Sequence, residues 1–330
     1  MEKKRYESLD GLRSFACIGI IMLHVLENVE YHVNGFLFDE MIPEFTSFVY
    51  LFMAISGFGM CCGYYEKFIG GNVNIVSFYQ KRYAKLLPFF SLLCFIDFAM
   101  SPSANSFYEV ITNLTLCFGL IPNANISVIG VGWFLGVVFA FYFLFPFYCS
   151  LLSNKVKAWE TFIVSLIINR ISINYFGVGM KSIVFCFAFF VVGGLIYLYR
   201  KELDNNSSIK WFSFILAFFL TLVYFFYCKN EIVIAFFDAA IIVFAINFEG
   251  MSFLNNKITK FIGGISFEIY LSHMLILRCV EKAHMLKLTT NDYINYCITV
   301  VIVFMGAIVF AIYGKKMIEI IDKTRIKIMK

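Results

Sequence analysis

Two ionisable residues, Arg13 and His24, interrupt the apolar stretch LDGLRSFACIGIIMLHVLENVE near the start of the chain. In an α-helix, this separation places both side chains within roughly 20° of one face and about 16 Å apart along the axis. A guanidinium suits an anionic phosphate, and an imidazole can transfer protons near neutral pH. Asp10 precedes Arg13 by one turn and Glu27 follows His24 by one turn, where they are placed to pair with these groups. We predict one watery passage lined by Arg13 and His24, although a snorkelling arginine and a histidine bonded to a neighbouring helix fit equally well.

A second polar stripe lies in the late segment FIGGISFEIYLSHMLIL. Ser266, Tyr270 and His273 have the i, i+4, i+7 spacing of residues that share one helix face. On a helix buried in lipid, such a stripe has to face protein or water, which makes it a candidate site. Glu268, another ionisable group in this segment, need not join the stripe.

Three further segments carry candidates that also have structural interpretations. Ser56 and Gly57 in YLFMAISGFGM are small residues that favour close helix packing. Trp133 in GVGWFLGVVFAFYFLFP fits an interfacial aromatic belt. The segment SFYQKRYAKLLPFF fits either the positive charge of a cytoplasmic loop or a docking site for a phosphorylated ligand. Its basic residues are Lys81, Arg82 and Lys85, and a membrane span is predicted to begin after them at Pro88.

The composition indicates which solvent surrounds these residues. The chain of 330 residues is 61% apolar and 15% charged, whereas soluble domains are about 45–50% apolar and about 25% charged. We therefore predict an all-α polytopic membrane protein with about ten transmembrane helices. The predicted spans lie near residues 9–27, 44–64, 86–101, 133–152, 159–177, 180–198, 211–228, 231–247, 261–280 and 293–313, and 108–121 is expected to be re-entrant or interfacial.

The remaining polar residues within apolar runs favour structural roles. Asp97, Arg170 and Asp238 are isolated in sequence and are expected to form structural pairs. The ten cysteines lack the spacing of a metal site or a disulfide framework, which indicates small buried hydrophobic side chains.

Lys and Arg are concentrated in alternate connections and at both ends of the chain. Cytoplasmic loops retain positive charge, so we predict a cytoplasmic-membrane protein with both termini inside and an even number of spans. The net charge of +5 then reflects topology rather than a nucleic-acid partner. The first apolar stretch contains charges and lacks a small-residue cleavage site, which predicts a retained signal anchor. One membrane domain over residues 1–330, without a fused soluble domain, is expected.

Together these segments resemble acyltransferase family 3, the ten-span membrane O-acyltransferases. LDGLRSFACIGIIMLH is similar to the family's LDGLRG-like start with its Arg and His, and ISGF at 55–58 to a second-span motif. The segment KRYAKLLP resembles the family's basic RRxxRIxP-like segment. The segment from Trp133 to Pro146 resembles its Trp-Leu span, and SFEIYLSH resembles its SYxIYLxH-like late span. Two positions depart from the pattern. The segment GVVF at 136–139 lacks the glutamate that many members carry after the tryptophan. Lys85 stands where the family pattern has an arginine, which weakens a bidentate phosphate contact.

The resemblance implies transfer of an acyl group, most often acetyl, from acyl-CoA onto a carbohydrate hydroxyl. Acetyl-CoA is the expected donor substrate, with no permanently bound cofactor and no metal, and the expected acceptor is an exopolysaccharide, O-antigen or lipid-linked glycan. His24 is the candidate general base, with a transient acyl-histidine as the alternative. Arg13 and His273 complete the catalytic candidates. Candidates for donor or acceptor binding are Asp10, Ser56, Lys81, Arg82, Lys85, Trp133, Ser266 and Tyr270.

Two other function classes fit a ten-span chain with buried charge. One is a transporter or flippase for a lipid-linked sugar or acyl group, although the repeated halves with matching broken helices that are common in transporters are not visible. The other is an inactive assembly partner. Label transferred from acyl-CoA to a glycan favours the enzyme, whereas movement of the acceptor without label favours the transporter.

Overall fold

The computed structural model describes residues 6–121, 126–203, 206–247 and 253–328, with side chains as far as residue 321. The described residues form helices joined by short loops, and none of them lies in a β-strand. The α-helices are α1 Ser8–Asn28, α2 Phe48–Met60, α3 Glu66–Ile69, α4 Ile75–Met100, α5 Ala104–Leu114, α6 Trp133–Leu151, α7 Lys155–Phe176, α8 Ile183–Leu203, α9 Ser207–Phe226, α10 Glu231–Asn247, α11 Lys257–Gly264, α12 Ser266–Lys282 and α13 Asp292–Ile328. Short 3-10 and π-helical segments occupy Leu37–Met41, Ile42–Ser47, Cys61–Tyr65, Cys117–Leu120 and Gly130–Gly132.

Seven helical stretches in the described ranges are long and apolar enough to cross a membrane. They are Ser8–Asn28, Leu37–Ile69, Ile75–Met100, Gly130–Leu151, Ile183–Leu203, Ser207–Phe226 and Asp292–Ile321. An eighth results if α11 and α12, which meet at 71°, form one broken span. The predicted all-α polytopic membrane class is confirmed, but the count of ten is not. Two predicted spans coincide with helices outside this set. The span predicted at 159–177 coincides with α7, which carries charges along its length, and the span predicted at 231–247 coincides with α10, which has 17 residues.

The helix that carries the basic cluster begins earlier than the sequence predicted. The Asn74 side chain accepts a hydrogen bond from the Ser77 backbone N–H at 2.9 Å and so starts α4 at Ile75. Pro88 lies inside this helix, so the prediction that a span begins at Pro88 was wrong. The basic cluster and the apolar segment therefore belong to one continuous helix of 26 residues.

The region predicted to be re-entrant or interfacial contains α5 and the 3-10 segment Cys117–Leu120. At 11 residues, α5 is too short to span a bilayer. The Glu109 carboxylate of α5 accepts hydrogen bonds from the backbone N–H groups of Ser127 and Val128 at 2.7 and 2.8 Å. This contact anchors the segment that leads into α6.

Two close helix crossings position the residues discussed below. A Cβ on Gly57 would collide with the Phe190 carbonyl, so α2 and α8 pack backbone to backbone at this point. The packing role predicted for Gly57 is therefore confirmed. A Cβ on Gly263 would likewise collide with the Asp10 carbonyl. Because α11 lies directly against the start of α1, the turn that carries Asp10 and Arg13 is held beside the break between α11 and α12.

Two of the three isolated charges form the expected structural pairs. Asp97 of α4 pairs with Arg278 of α12, and Arg170 of α7 lies 3.5 Å from Glu231 of α10. Asp238 differs: it is buried, and its Oδ2 has no hydrogen-bond partner among the described residues. The expected pairing of Asp238 is therefore not found.

Candidate active site

A cavity of about 500 Å³ lies at the end of the bundle that holds the start of α1. Helices α1, α2, α4, α6, α12 and α13 contribute side chains to it, and the break between α11 and α12 forms part of its wall. Its polar lining residues are Asp10, Arg13, Ser56, Lys85, Tyr142, Ser266, Glu268, Tyr270 and Lys315. A mixed lining of this kind can receive a ligand that is charged at one end and apolar at the other.

Two ion pairs and one further lysine give the mouth of the cavity its charge. The Asp10 carboxylate accepts a hydrogen bond from Arg13 Nη1 at 2.7 Å, as the helical spacing predicted. Lys315 Nζ of α13 lies 3.2 Å from Glu268 Oε1 of α12. Lys85 is exposed and forms no ion pair with any residue whose side chain is described. The mouth therefore carries one positive charge in excess, which favours an anionic ligand.

Three aromatic rings close the opposite end of the cavity. Phe134 meets Tyr270 edge to face with ring centroids 5.1 Å apart, and Phe52 lies 6.1 Å from Phe134 and 6.3 Å from Tyr270. The Tyr270 hydroxyl donates a hydrogen bond of 3.2 Å to the Val131 carbonyl in the 3-10 segment that precedes α6. We call Phe52, Phe134 and Tyr270 the aromatic wall.

The two histidines lie beyond this wall and stack on each other. The ring centroids of His24 and His273 are 5.2 Å apart, and the His273 ring is 5.8 Å from the Tyr270 ring. His24 Nδ1 lies 3.1 Å from the Glu27 carboxylate. His273 is fully buried, with Nδ1 2.5 Å from the Tyr270 carbonyl oxygen. The two imidazoles thus form a compact pair with a carboxylate at one end.

The predicted continuous passage from Arg13 to His24 is not found in the described structure. Arg13 lines the cavity, whereas neither His24 nor His273 does. The side chain of Tyr270 lies between the cavity and His273. The two groups share a helix face as predicted, but a side chain from another helix divides the space that they face.

The other predicted site residues fall into three groups. Ser56, Ser266 and Tyr270 line the cavity. Arg82 lies behind it: its guanidinium is 5.5 Å from the ring centroid of Tyr142, a lining residue, and Nη2 donates to the Tyr64 hydroxyl at 2.8 Å.

Lys81 is exposed and does not line the cavity. Trp133 is half-buried against Phe134, with centroids 6.5 Å apart, and is not a lining residue. Both residues therefore lie outside the cavity for which they were candidates.

Several lining residues were not among the site candidates, and three of them are instructive. Lys315 was counted among the topological charges of the C-terminal tail, and Glu268 was not assigned to the stripe that contains Ser266. Instead, α12 begins at Ser266 after the sharp break, and its first turn directs Glu268 towards α13 and the cavity. Phe134 gave no signal within an apolar run.

A protein-family model matches nearly the whole described chain. Residues 6–314 match the model of the acyltransferase 3 family, described as an acyltransferase domain. The chain belongs to acyltransferase family 3. No curated protein and no solved structure matches the chain significantly. The family membership therefore supports a membrane acyltransferase.

Proposed function

We propose that this membrane acyltransferase transfers an acyl group, most simply acetyl, from acyl-CoA to a hydroxyl of a cell-surface or lipid-linked carbohydrate. We place it in the cytoplasmic membrane with both termini inside, as the distribution of Lys and Arg favours. One observation carries the proposal: a cationic cavity and a carboxylate-linked histidine pair lie on opposite sides of Tyr270.

The donor side of the proposal rests on the charges of the mouth. Acyl-CoA carries several phosphate charges at one end and a neutral thioester on a slender arm at the other. Arg13, Lys85 and Lys315 suit the phosphates, and the apolar end of the cavity suits the arm. Arg82 and Lys81 act at longer range, through the positive potential around the mouth.

His24 is the proposed general base for the acceptor hydroxyl. A carboxylate only accepts hydrogen bonds, so the contact with Glu27 assigns the proton to Nδ1 and leaves the lone pair on Nε2. His24 Nε2 takes the hydroxyl proton as the oxygen attacks the thioester carbonyl carbon. The tetrahedral intermediate then collapses, the carbon–sulfur bond breaks, and the thiolate leaves and receives the proton as CoA thiol.

His273 is proposed to orient the acceptor. The Tyr270 carbonyl can only accept, so Nδ1 of His273 carries its proton and Nε2 keeps a lone pair. This Nε2 is buried and has no hydrogen-bond partner among the described residues. A buried acceptor of this kind is suited to a substrate hydroxyl.

Transfer of label from acetyl-CoA to glycan in isolated membranes tests the proposal. Membranes containing the wild-type chain should label the acceptor, and His24→Ala should reduce the rate at least about a hundredfold, as expected for loss of a general base. His32→Ala is the matched control, because His32 is exposed and lies outside the site. Full activity of His24→Ala would exclude the proposed base, and acceptor movement without label would favour the transporter hypothesis.

A further inference from the structure

The aromatic wall lies at one end of the cavity, and its three side chains are almost fully buried. Phe52 and Phe134 are each 7% exposed and Tyr270 is 3% exposed, yet all three line the cavity. The residues at the mouth are more open, with 30% of the Arg13 side chain and 38% of the Lys315 side chain exposed. The cavity therefore has a charged open end and an aromatic closed end.

The order of the lining residues along α6 and α2 shows the same arrangement of a charged mouth and an aromatic end. On α6, Phe134, Val138 and Tyr142 line the cavity at successive turns, which gives a depth of about 12 Å along the helix axis. On α2, Phe52 and Ser56 repeat this order one turn apart. Ligand groups that enter past the charged mouth therefore meet the three rings last.

We propose that the aromatic wall limits the length of the acyl group, with Phe134 as the main specificity-determining residue. This inference rests on the proposed acyl-CoA donor and adds the class of thioester that fits: a short chain of the acetyl type. With the phosphates held at the mouth, the end of the acyl chain points at the rings. Each additional methylene would have to displace a packed ring.

Phe134 is the ring most suited to set this limit. It packs edge to face on Tyr270 and also contacts Phe52, and its own helix follows directly on the segment anchored by Glu109. Replacement by alanine removes the whole phenyl ring and extends the cavity towards its closed end. The Tyr270 ring and its hydrogen bond to Val131 remain, so the histidine pair keeps its surroundings.

Binding of a series of CoA thioesters to the purified full-length protein tests this inference. The dissociation constants of CoA, acetyl-CoA, butyryl-CoA and hexanoyl-CoA are measured for the wild type and for Phe134→Leu and Phe134→Ala. The wild type should bind acetyl-CoA better than the longer thioesters. Phe134→Ala should shift the butyryl-to-acetyl preference at least about tenfold towards butyryl, because hydrophobic pockets discriminate by about this factor per methylene. Phe134→Leu should lie between them.

Phe139→Ala is the matched control. Phe139 is also buried on α6, but its ring packs 4.6 Å from Tyr83 and does not line the cavity. An unchanged preference in a folded Phe134 variant, or the same shift in Phe139→Ala, would overturn the inference. Absence of binding of CoA itself to the wild type would instead overturn the proposed function. The milder Phe134→Leu variant keeps the test valid if Phe134→Ala does not fold.

Discussion

The ion pair between Glu268 and Lys315 permits a test in which two variants move donor binding in opposite directions. The two charges are 3.2 Å apart at the mouth, with Lys315 38% and Glu268 13% exposed in their side chains. A phosphate at about 4 Å from an ammonium gains about 1 kcal/mol in water and about 4 kcal/mol at an effective dielectric constant of 20. Because Lys315 is more than one third exposed, the lower end applies, about 1 kcal/mol or roughly a fivefold change in affinity.

Lys315→Gln should therefore raise the KM for acetyl-CoA about five- to tenfold, because it removes an attraction and leaves Glu268 unneutralised. Glu268→Gln should lower the KM about two- to fivefold, since Lys315 is then free to face the phosphates. The double variant should return to near the wild-type value. All differences should shrink at about 0.5 M salt, where charges are screened within a few ångströms.

The neighbouring residue supplies the control for this test. Lys316 is exposed and does not line the cavity, so Lys316→Gln should leave the KM unchanged. The reasoning fails if Glu268→Gln weakens donor binding, or if Lys315→Gln cannot be distinguished from Lys316→Gln.

Three further predictions concern the fold and its orientation. Gly263→Ala should destabilise the purified protein by about 1–3 kcal/mol through overpacking, whereas Gly264→Ala should not, because a Cβ there meets open space; thermal melting in detergent compares them. Arg278→Leu should cost about 1–3 kcal/mol by leaving the buried Asp97 carboxylate without this partner, and adding Asp97→Asn should restore most of the melting temperature. Cys228 is exposed, contrary to the burial predicted for the cysteines, so an impermeant thiol reagent should label it from outside intact cells, with less label in Cys228→Ser; labelling only after permeabilisation would reverse the proposed orientation.

Composition and charge distribution predicted the membrane class because transfer free energy is nearly additive along an apolar segment. They did not predict where helices join, since hydropathy carries no information on backbone hydrogen bonding. Leu37–Ile69 is continuous because 3-10 and π-helical turns keep it helical across Pro43. The start of α4 depended on a side-chain cap at Asn74 rather than on hydrophobicity.

The site was predictable where its contacts are local. The pairing of Asp10 with Arg13 and the shared surroundings of Ser266 and Tyr270 follow from helical spacing. Lys315 could not be assigned in this way, because its partner Glu268 lies on another helix and only tertiary packing joins them. A basic residue near the end of a membrane protein is also explained by the positive charge of cytoplasmic segments alone. The sequence therefore contained no indication that Lys315 lines the cavity.

The position of Tyr270 places a geometric requirement on acyl transfer in this enzyme. Its ring lines the cavity proposed for the donor and also contacts His273, so this ring separates a thioester in that cavity from the imidazoles. The hydroxyl is tied by one hydrogen bond to the Val131 carbonyl, and such a bond contributes only about 1 kcal/mol net. Breaking it is therefore a small part of the cost of rotating the ring, which must also leave its contacts with Phe134 and Phe52. The proposed chemistry thus needs a mobile Tyr270 beside a fixed Phe134, so that the passage between donor and base opens without lengthening the acyl site.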